Sequence, residues 1–171
     1  LPSFAFEKED GAGKFRFILS GRCLAVNLEA RGFKMEGIED WLNRSPGPGH
    51  LDQHMGKCDI ESGFHTIPVC PADREYLGFT VRDEEGNPEH YHLCVLPMGL
   101  TVSPGIFCAY TDALRECIRR KGPPDLNLLS YVDDFLFEGA TRHTTWRGGQ
   151  TVKMVLERAG FRLAETKSVF E

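Results

Sequence analysis

The chain has 171 residues, a formal net charge of −5, 41% hydrophobic and 26% charged residues, which is ordinary for a soluble globular domain and leaves room for a sizeable core. No apolar run approaches the ~18 residues that span a bilayer, and no charged, apolar and small-residue succession marks a signal peptide, so an intracellular protein (cytoplasm or nucleus) with no membrane partner is expected. The acidic balance, with a pI near 5.7, argues against a nucleic-acid binder, but the basic residues cluster: Lys14, Arg16, Arg22, Arg31 and Lys34 in one stretch, Arg115, Arg119, Arg120 and Lys121 in another.

Each basic cluster reads equally well as a solvated face. Leucine rather than methionine at position 1 is read as the mark of a fragment or processed piece. Cys23, Cys58, Cys70, Cys94, Cys108 and Cys117 contain no Cys-x-x-Cys pair, which speaks against a zinc site and for buried free thiols in a reducing compartment. The scattered histidines lack an i, i+4 pair with a partner acid and are read as loop or strand residues.

In chain order, residues 14–19 alternate basic and apolar and then turn fully apolar, which predicts a strand. Ile38, Trp41 and Leu42 fit one short helical face, and residues 45–49 form a Pro/Gly loop. Met55 to Ile60 predicts a buried strand ending at Asp59. Residues 75–81 and 91–96 predict a hairpin turned by Gly86-Asn87-Pro88. Residues 104–121 form the best helix, with Ser103 as N-cap and Pro104 in the first turn. Its apolar face is Ile106, Phe107, Tyr110, Leu114, Cys117 and Ile118, and Gly122-Pro123-Pro124 stops it. A last helix over about 145–159 ends at Gly160, and residues 161–164 add a strand. The layout is α+β, with helices packed on an antiparallel sheet.

The chemistry points to Tyr131-Val132-Asp133-Asp134, set between Leu126, Leu128 and Leu129 on one side and Phe135, Leu136 and Phe137 on the other. A strand–tight turn–strand reading puts the two acids at the tip. Adjacent carboxylates repel, and a divalent cation relieves that conflict. Asp59 offers a third carboxylate; if it converges on the pair, the site could hold two metals ~3.5–4 Å apart, as in phosphoryl transfer. Taken alone, the tetrapeptide also fits a solvated hairpin turn.

Taken together, four segments in order resemble reverse transcriptases, and the resemblance covers nearly the whole chain. Residues 14–22 (Lys-Phe-Arg-Phe-Ile-Leu-Ser-Gly-Arg) resemble the fingers segment that meets the incoming triphosphate. Residues 57–64 (Lys-Cys-Asp-Ile-Glu-Ser-Gly-Phe) resemble the first palm aspartate motif. Residues 96–104 (Leu-Pro-Met-Gly-Leu-Thr-Val-Ser-Pro) resemble the segment beneath the template–nucleotide pair, and residues 131–134 the catalytic hairpin. Gly160-Phe161 followed by Thr166-Lys167-Ser168 is similar to the next palm motif. Gly32-Phe33-Lys34-Met35-Glu36 and Glu165-Thr166-Lys167-Ser168 resemble the tyrosine-recombinase (DIRS-like) retrotransposons.

The resemblance implies a polymerase palm-type antiparallel sheet packed on helices with a partial fingers subdomain. Fingers would occupy 1–50 and the 67–99 hairpin, and palm 51–66 and 100–171. It implies an RNA-directed DNA polymerase core that uses a primed RNA or DNA template, deoxynucleoside triphosphates and two Mg²⁺ ions, with Mn²⁺ as the alternative. Asp59, Asp133 and Asp134, with the Ile60 carbonyl, would hold the metals, and Lys167 would donate a proton to pyrophosphate. Lys14, Arg16, Arg22, Phe64, Met98 and Gly99 would bind the nucleotide, Phe64 as the aromatic gate against a ribose 2′-hydroxyl. Pro97, Ser103, Pro104 and Tyr131 would meet the nucleic acid. Met98 departs from the glutamine of many retroviral members, and Ser20 and Cys23 depart from the acids of many relatives. Thumb and RNase H segments are absent from the chain and expected in the full-length protein, so weak or no polymerisation is expected of this piece alone. The rival reading is a non-catalytic or decayed nucleic-acid-binding or assembly module of the same fold. An unrelated α+β domain with chance motifs is the third.

Overall fold

The computed structural model describes residues 1–7, 13, 15–29, 32–45 and 54–170. Lys14, Arg31, His50 and all but Ser45 of the expected 45–49 loop lie outside the described residues. The chain divides into two compact units, residues 1–32 with 64–106 and residues 33–63 with 107–171. Residues 33–45, expected with the first unit, therefore cluster with the second.

The second unit is built on a four-stranded antiparallel sheet. Its strands are β3 (His54–Glu61), β6 (Asn127–Tyr131), β7 (Asp134–Gly139) and β8 (Arg162–Leu163), in the order β6-β7-β3-β8. Directly opposed residues of antiparallel strands share a face. Cys58 opposes Phe135, and Gly56 opposes Phe137, which in turn opposes Leu128 on β6. These side chains are buried and make the core face. The expected buried strand 55–60 is therefore buried on one face only: Met55 and Lys57 stay exposed, and the strand runs through Asp59 to Glu61.

Helix α3 (Arg142–Arg158) lies against β3 and β7 and buries Val152, Val155 and Leu156. It starts earlier than the expected 145, because Thr141 Oγ1 caps it by accepting the Thr144 N–H at 3.1 Å. Its end is a Schellman closure: the Phe161 N–H donates to the Leu156 carbonyl and the Gly160 N–H to the Glu157 carbonyl, each at 3.0 Å. Gly160 takes φ +90°, which a side chain would oppose. Phe161 is thereby delivered into the core, edge-on to Phe107 of helix α2 (Ser103–Lys121) with ring centroids 6.2 Å apart.

The expected apolar face of α2 is only partly a core face. Phe107 and Ile118 are buried, whereas Ile106 and Tyr110 are exposed. In helix α1 (Ile38–Arg44) only Trp41 is buried; Ile38 and Leu42 are exposed. The thiols depart from expectation as well. All six cysteines are free, but Cys23, Cys70 and Cys94 are exposed, so burial accounts for Cys58 and Cys108 alone.

Three arginines converge on Glu36. Arg44 makes a two-pronged contact through Nη1 and Nη2 at 3.1 Å each, Arg115 Nη1 approaches to 3.1 Å and Arg119 Nη2 to 3.3 Å. The second basic cluster is thus not a solvated face at Arg115 and Arg119. Those side chains join the segment before α1 to α2, and Arg115 continues to Ser130 on β6 at 3.1 Å.

The first unit carries two hairpins. Strands β1 (Ser3–Glu7) and β2 (Phe15–Leu19) pair antiparallel, as do β4 (Gly78–Arg82) and β5 (Pro88–His92). The β4–β5 hairpin is shorter than expected. Asp83 Oδ1 accepts the N–H groups of Glu85 at 3.0 Å and Asn87 at 2.7 Å. That pins the turn at 83–87 and sets the register from Arg82↔Pro88 to Gly78↔His92. Tyr76 and Leu77 instead belong to a 3₁₀ turn, Pro71–Leu77. The Leu93 N–H still donates to the Leu77 carbonyl at 3.2 Å, and residues 94–96 then turn away to bond with 67–69 through Val69 N–H to Cys94 O and Leu96 N–H to Ile67 O.

Glu36→Gln keeps the shape of the carboxylate but withdraws the charge shared by Arg44, Arg115 and Arg119. Breaking a partly buried ionic network of this kind costs about 1–3 kcal/mol. The urea-unfolding midpoint of the variant should fall accordingly; an unchanged midpoint would remove the cluster from the account of stability.

Candidate active site

Strands β6 and β7 leave two residues, Val132 and Asp133, to turn the chain, and Tyr131 opposes Asp134 as the first pair of the ladder. So short a hairpin needs left-handed backbone at the turn. Val132 supplies it at φ +54°, although it is β-branched and ill suited to that region. The turn is then tied to the neighbouring strand, since the Ile60 N–H donates to the Asp133 carbonyl at 2.9 Å.

Asp59 stands directly opposite Asp134 across β3 and β7, so the two side chains share the sheet face away from Phe135 and Phe137. Asp59 is the more sheltered, with 15% of its side chain exposed against 52% for Asp134. Each has a lysine: Lys167 Nζ lies 3.8 Å from Asp59 Oδ2 and Lys57 Nζ 3.8 Å from Asp134 Oδ1. Burial raises the pKa of Asp133, with the negative charges of Asp134 and Asp59 adding to it, while its own backbone hydrogen bond and Lys167 act the other way. The neighbouring Cys58 thiol is pushed up to about 11 by burial and stays protonated.

The Lys167 turn is fastened to Asp59 through the backbone. The Asp59 N–H donates to Ser168 Oγ at 3.2 Å, the Ser168 hydroxyl donates to the Ala164 carbonyl at 2.9 Å, and the Ala164 N–H returns to the Asp59 carbonyl at 2.9 Å. Val169 adds two bonds to Lys57, of 2.8 and 2.7 Å. Asp59, Ile60, Asp133, Asp134, Lys167 and Tyr131 therefore sit on one scaffold. The three carboxylates are not drawn into a closed cluster: among the described residues no group of three or more His, Cys, Asp or Glu is gathered at metal-binding range. The donor set nonetheless fits a hard divalent cation, because its donors are carboxylate oxygens whose mutual repulsion already shows at Asp133.

Lys57, Ser168 and Val132 are absent from the sequence-based site. Lys57 was discoverable, because a residue two before Asp59 on a strand must share its face. The contacts of Ser168 cross from residue 168 to residue 59, and no local pattern carries them.

The remaining site residues belong to the first unit. Arg16 and Arg22 are exposed, Arg16 on β2 opposite Phe6 and Arg22 at the start of a turn. Phe64 lies half-buried in a 3₁₀ turn, Gly63–Thr66. Met98 is half-buried, and its carbonyl accepts the Leu19 N–H at 3.2 Å. Gly99 follows at φ +102°, where an added Cβ would overlap the Leu19 carbonyl oxygen, so only glycine lets this segment close on β2. Pro97 is buried and Pro104 half-buried. Ser103 is 1% exposed and its hydroxyl caps nothing, being without a hydrogen-bond partner. Neither Pro97 nor Ser103 presents a side chain to a ligand. Tyr131, in the second unit, is exposed.

A family model described as reverse transcriptase (RNA-dependent DNA polymerase) matches residues 7–171. The chain is 29% identical over 169 residues to the Gag-Pol polyprotein of bovine immunodeficiency virus (strain R29), covering 97% of this chain and 11% of that polyprotein. It is 32% identical over 111 residues to the Gag-Pol polyprotein of avian leukosis virus subgroup A (isolate RSA), covering 64% of this chain and 7% of that one. With the Gag-Pro-Pol polyprotein of simian retrovirus SRV-2 it is 25% identical over 170 residues, 97% of this chain and 9% of that polyprotein. The chain thus spans between 7% and 11% of the length of these curated relatives. All are retroviral, and none speaks for the tyrosine-recombinase (DIRS-like) placement. No helix among the described residues is long and apolar enough to cross a membrane.

A raised pKa means that folded Asp133 holds its proton more tightly than the unfolded chain does, so ionising it costs stability. The cost is absent below the unfolded carboxyl pKa of ~3.9, grows as pH rises through it, and is complete above the folded value. In metal-free buffer, Asp133→Asn should be more stable than the wild type at pH 7, and the gap should narrow toward pH 4. Urea melts at both pH values check this, and an Asn variant no more stable at pH 7 would contradict it.

Proposed function

The chain belongs to the reverse transcriptase family, and on that premise we propose that it is the polymerase core of a retroelement enzyme, with fingers and palm parts that extend a primer on an RNA or DNA template with deoxynucleoside triphosphates. The single observation that carries the reading is the pairing of Asp59 opposite Asp134, with Asp133 at the tip of the same hairpin. Three carboxylates on one rigid sheet suit nucleotidyl transfer. The partners proposed for the whole protein are template, primer and the further polyprotein segments, thumb and RNase H.

Asp59 and Asp133, the Ile60 carbonyl and Asp134 would hold two divalent ions, Mg²⁺ by preference and Mn²⁺ in its place. Bound there, the ions supply activation of a primer 3′-hydroxyl and charge stabilisation at the transferring phosphate. Asp133 is held at the turn by the Ile60 N–H, so its carboxylate keeps a fixed origin. Lys167, anchored through Ser168, holds a proton within reach of Asp59 and would pass it to the leaving pyrophosphate. Arg16, Arg22 and Lys14 would take the triphosphate oxygens, for which guanidinium forks are suited. Phe64 would exclude a ribose 2′-hydroxyl, and Met98 and Gly99 would support the nucleotide. Tyr131 and Pro104 would meet the nucleic acid, with buried Pro97 and Ser103 shaping that segment from beneath.

Primer extension on poly(rA)·oligo(dT) with dTTP and Mg²⁺, run on the chain extended through the expected thumb segment, tests the reading. Incorporation should fall about a thousandfold or more in Asp133→Asn, since metal-borne charge stabilisation is worth several kcal/mol. Template binding without incorporation in the wild type would favour the non-catalytic module instead. Phe64→Ala should raise the ratio of ribonucleotide to deoxynucleotide kcat/KM by about tenfold or more; an unchanged ratio would reduce Phe64 to a packing residue.

A further inference from the structure

We propose that Lys57 is a resident counter-cation of the carboxylate site, which competes with a divalent ion for Asp134 and so sets how tightly that ion is held; this role rests on the metal reading above.

The placement follows from strand geometry. Lys57 precedes Asp59 by two residues on β3, so both project from the same face. Across the ladder Lys57 opposes Leu136, which stands two residues beyond Asp134 on that face. The ammonium ends 3.8 Å from Asp134 Oδ1, with the lysine side chain 49% exposed. Its origin cannot drift. Lys57 lies in the middle of an interior strand, paired on one side with β7 and bonded on the other to Val169 through both its N–H and its carbonyl.

The charge pattern is complementary. Lys167 answers Asp59 and Lys57 answers Asp134, while Asp133 has no ion pair among the described residues. Asp134 must give up a lysine contact before its Oδ1 takes a metal. Removing a fixed positive charge this near a divalent ion should tighten its binding about threefold to tenfold at moderate ionic strength.

Mn²⁺ binding, followed by the electron paramagnetic resonance signal of the free ion, reads this without turnover. The chains compared are the wild type, Lys57→Met, Lys57→Gln, Asp134→Asn, the double Lys57→Met/Asp134→Asn variant, Asp133→Asn, and Lys153→Met as a distant control paired with Glu157. Both Lys57 variants should bind Mn²⁺ about threefold to tenfold more tightly, Lys153→Met should not differ from the wild type, and the gain from Lys57→Met should shrink when Asp134 is already Asn. If the wild type binds Mn²⁺ in an Asp133-dependent way and neither Lys57 variant binds it more tightly, the proposal falls while the metal reading stands. If no chain shows Asp133-dependent Mn²⁺ binding, the metal reading falls and takes the proposal with it.

Discussion

The antiparallel pairing of β3 with β7 sets Asp59 opposite Asp134, and a slip of one residue would turn one of them toward the helices. The register is held by what lies beneath it. Cys58 against Phe135 and Gly56 against Phe137 place their bulk on the core face, where α3 covers them. Moving β7 by one residue would bury Asp134 and expose Phe135 and Phe137, and moving β3 would bury Asp59 and expose Cys58 and Ile60; each change is costly. The hydrophobic core thus fixes the acidic face without touching it.

That face has an electrostatic balance of its own. Three aspartates on neighbouring strand positions would repel one another in water and more strongly in a partly buried setting. Two lysines offset the strand pair, one from β3 itself and one from a turn bonded to the backbone of β3. The acidic net charge of the whole chain, which seemed to speak against a nucleic-acid enzyme, says little about this local balance. Two of the clustered basic residues are engaged elsewhere, Arg115 and Arg119 joining Arg44 on Glu36.

Much of the second unit was legible because its signals are local. An apolar stretch predicted the strand that reaches Asp59, a Leu-rich run and a Phe-rich run flanked a tight turn, and Gly160 marked the end of α3. What could not be read depends on contacts distant in sequence. The arginines near residue 119 read equally well as a solvated face, and only the return of residue 36 shows why two of them are there. The β4–β5 register failed for a different reason. Apolar residues continue on both sides of that hairpin, so periodicity did not fix the register, and the Asp83 carboxylate fixed it by binding its own turn. Ile38 and Leu42 misled because a seven-residue helix needs only Trp41 to anchor it.

The strain at Val132 follows from the same requirement as the register. A longer loop with glycine at its tip would relax the backbone, since glycine adopts positive φ freely. It would also release Asp133 from Ile60, because that hydrogen bond forms only where the turn is short enough to bring the carbonyl to the edge of β3. A non-glycine residue held at φ +54° costs on the order of 1–3 kcal/mol. The flanking pairs from Leu128↔Phe137 to Tyr131↔Asp134 hold the turn closed against it. The tight turn is therefore the element that keeps two consecutive acids at different depths, Asp133 partly sheltered beside β3 and Asp134 exposed at the start of β7. Two chemically identical side chains thus differ in exposure through the geometry of one turn.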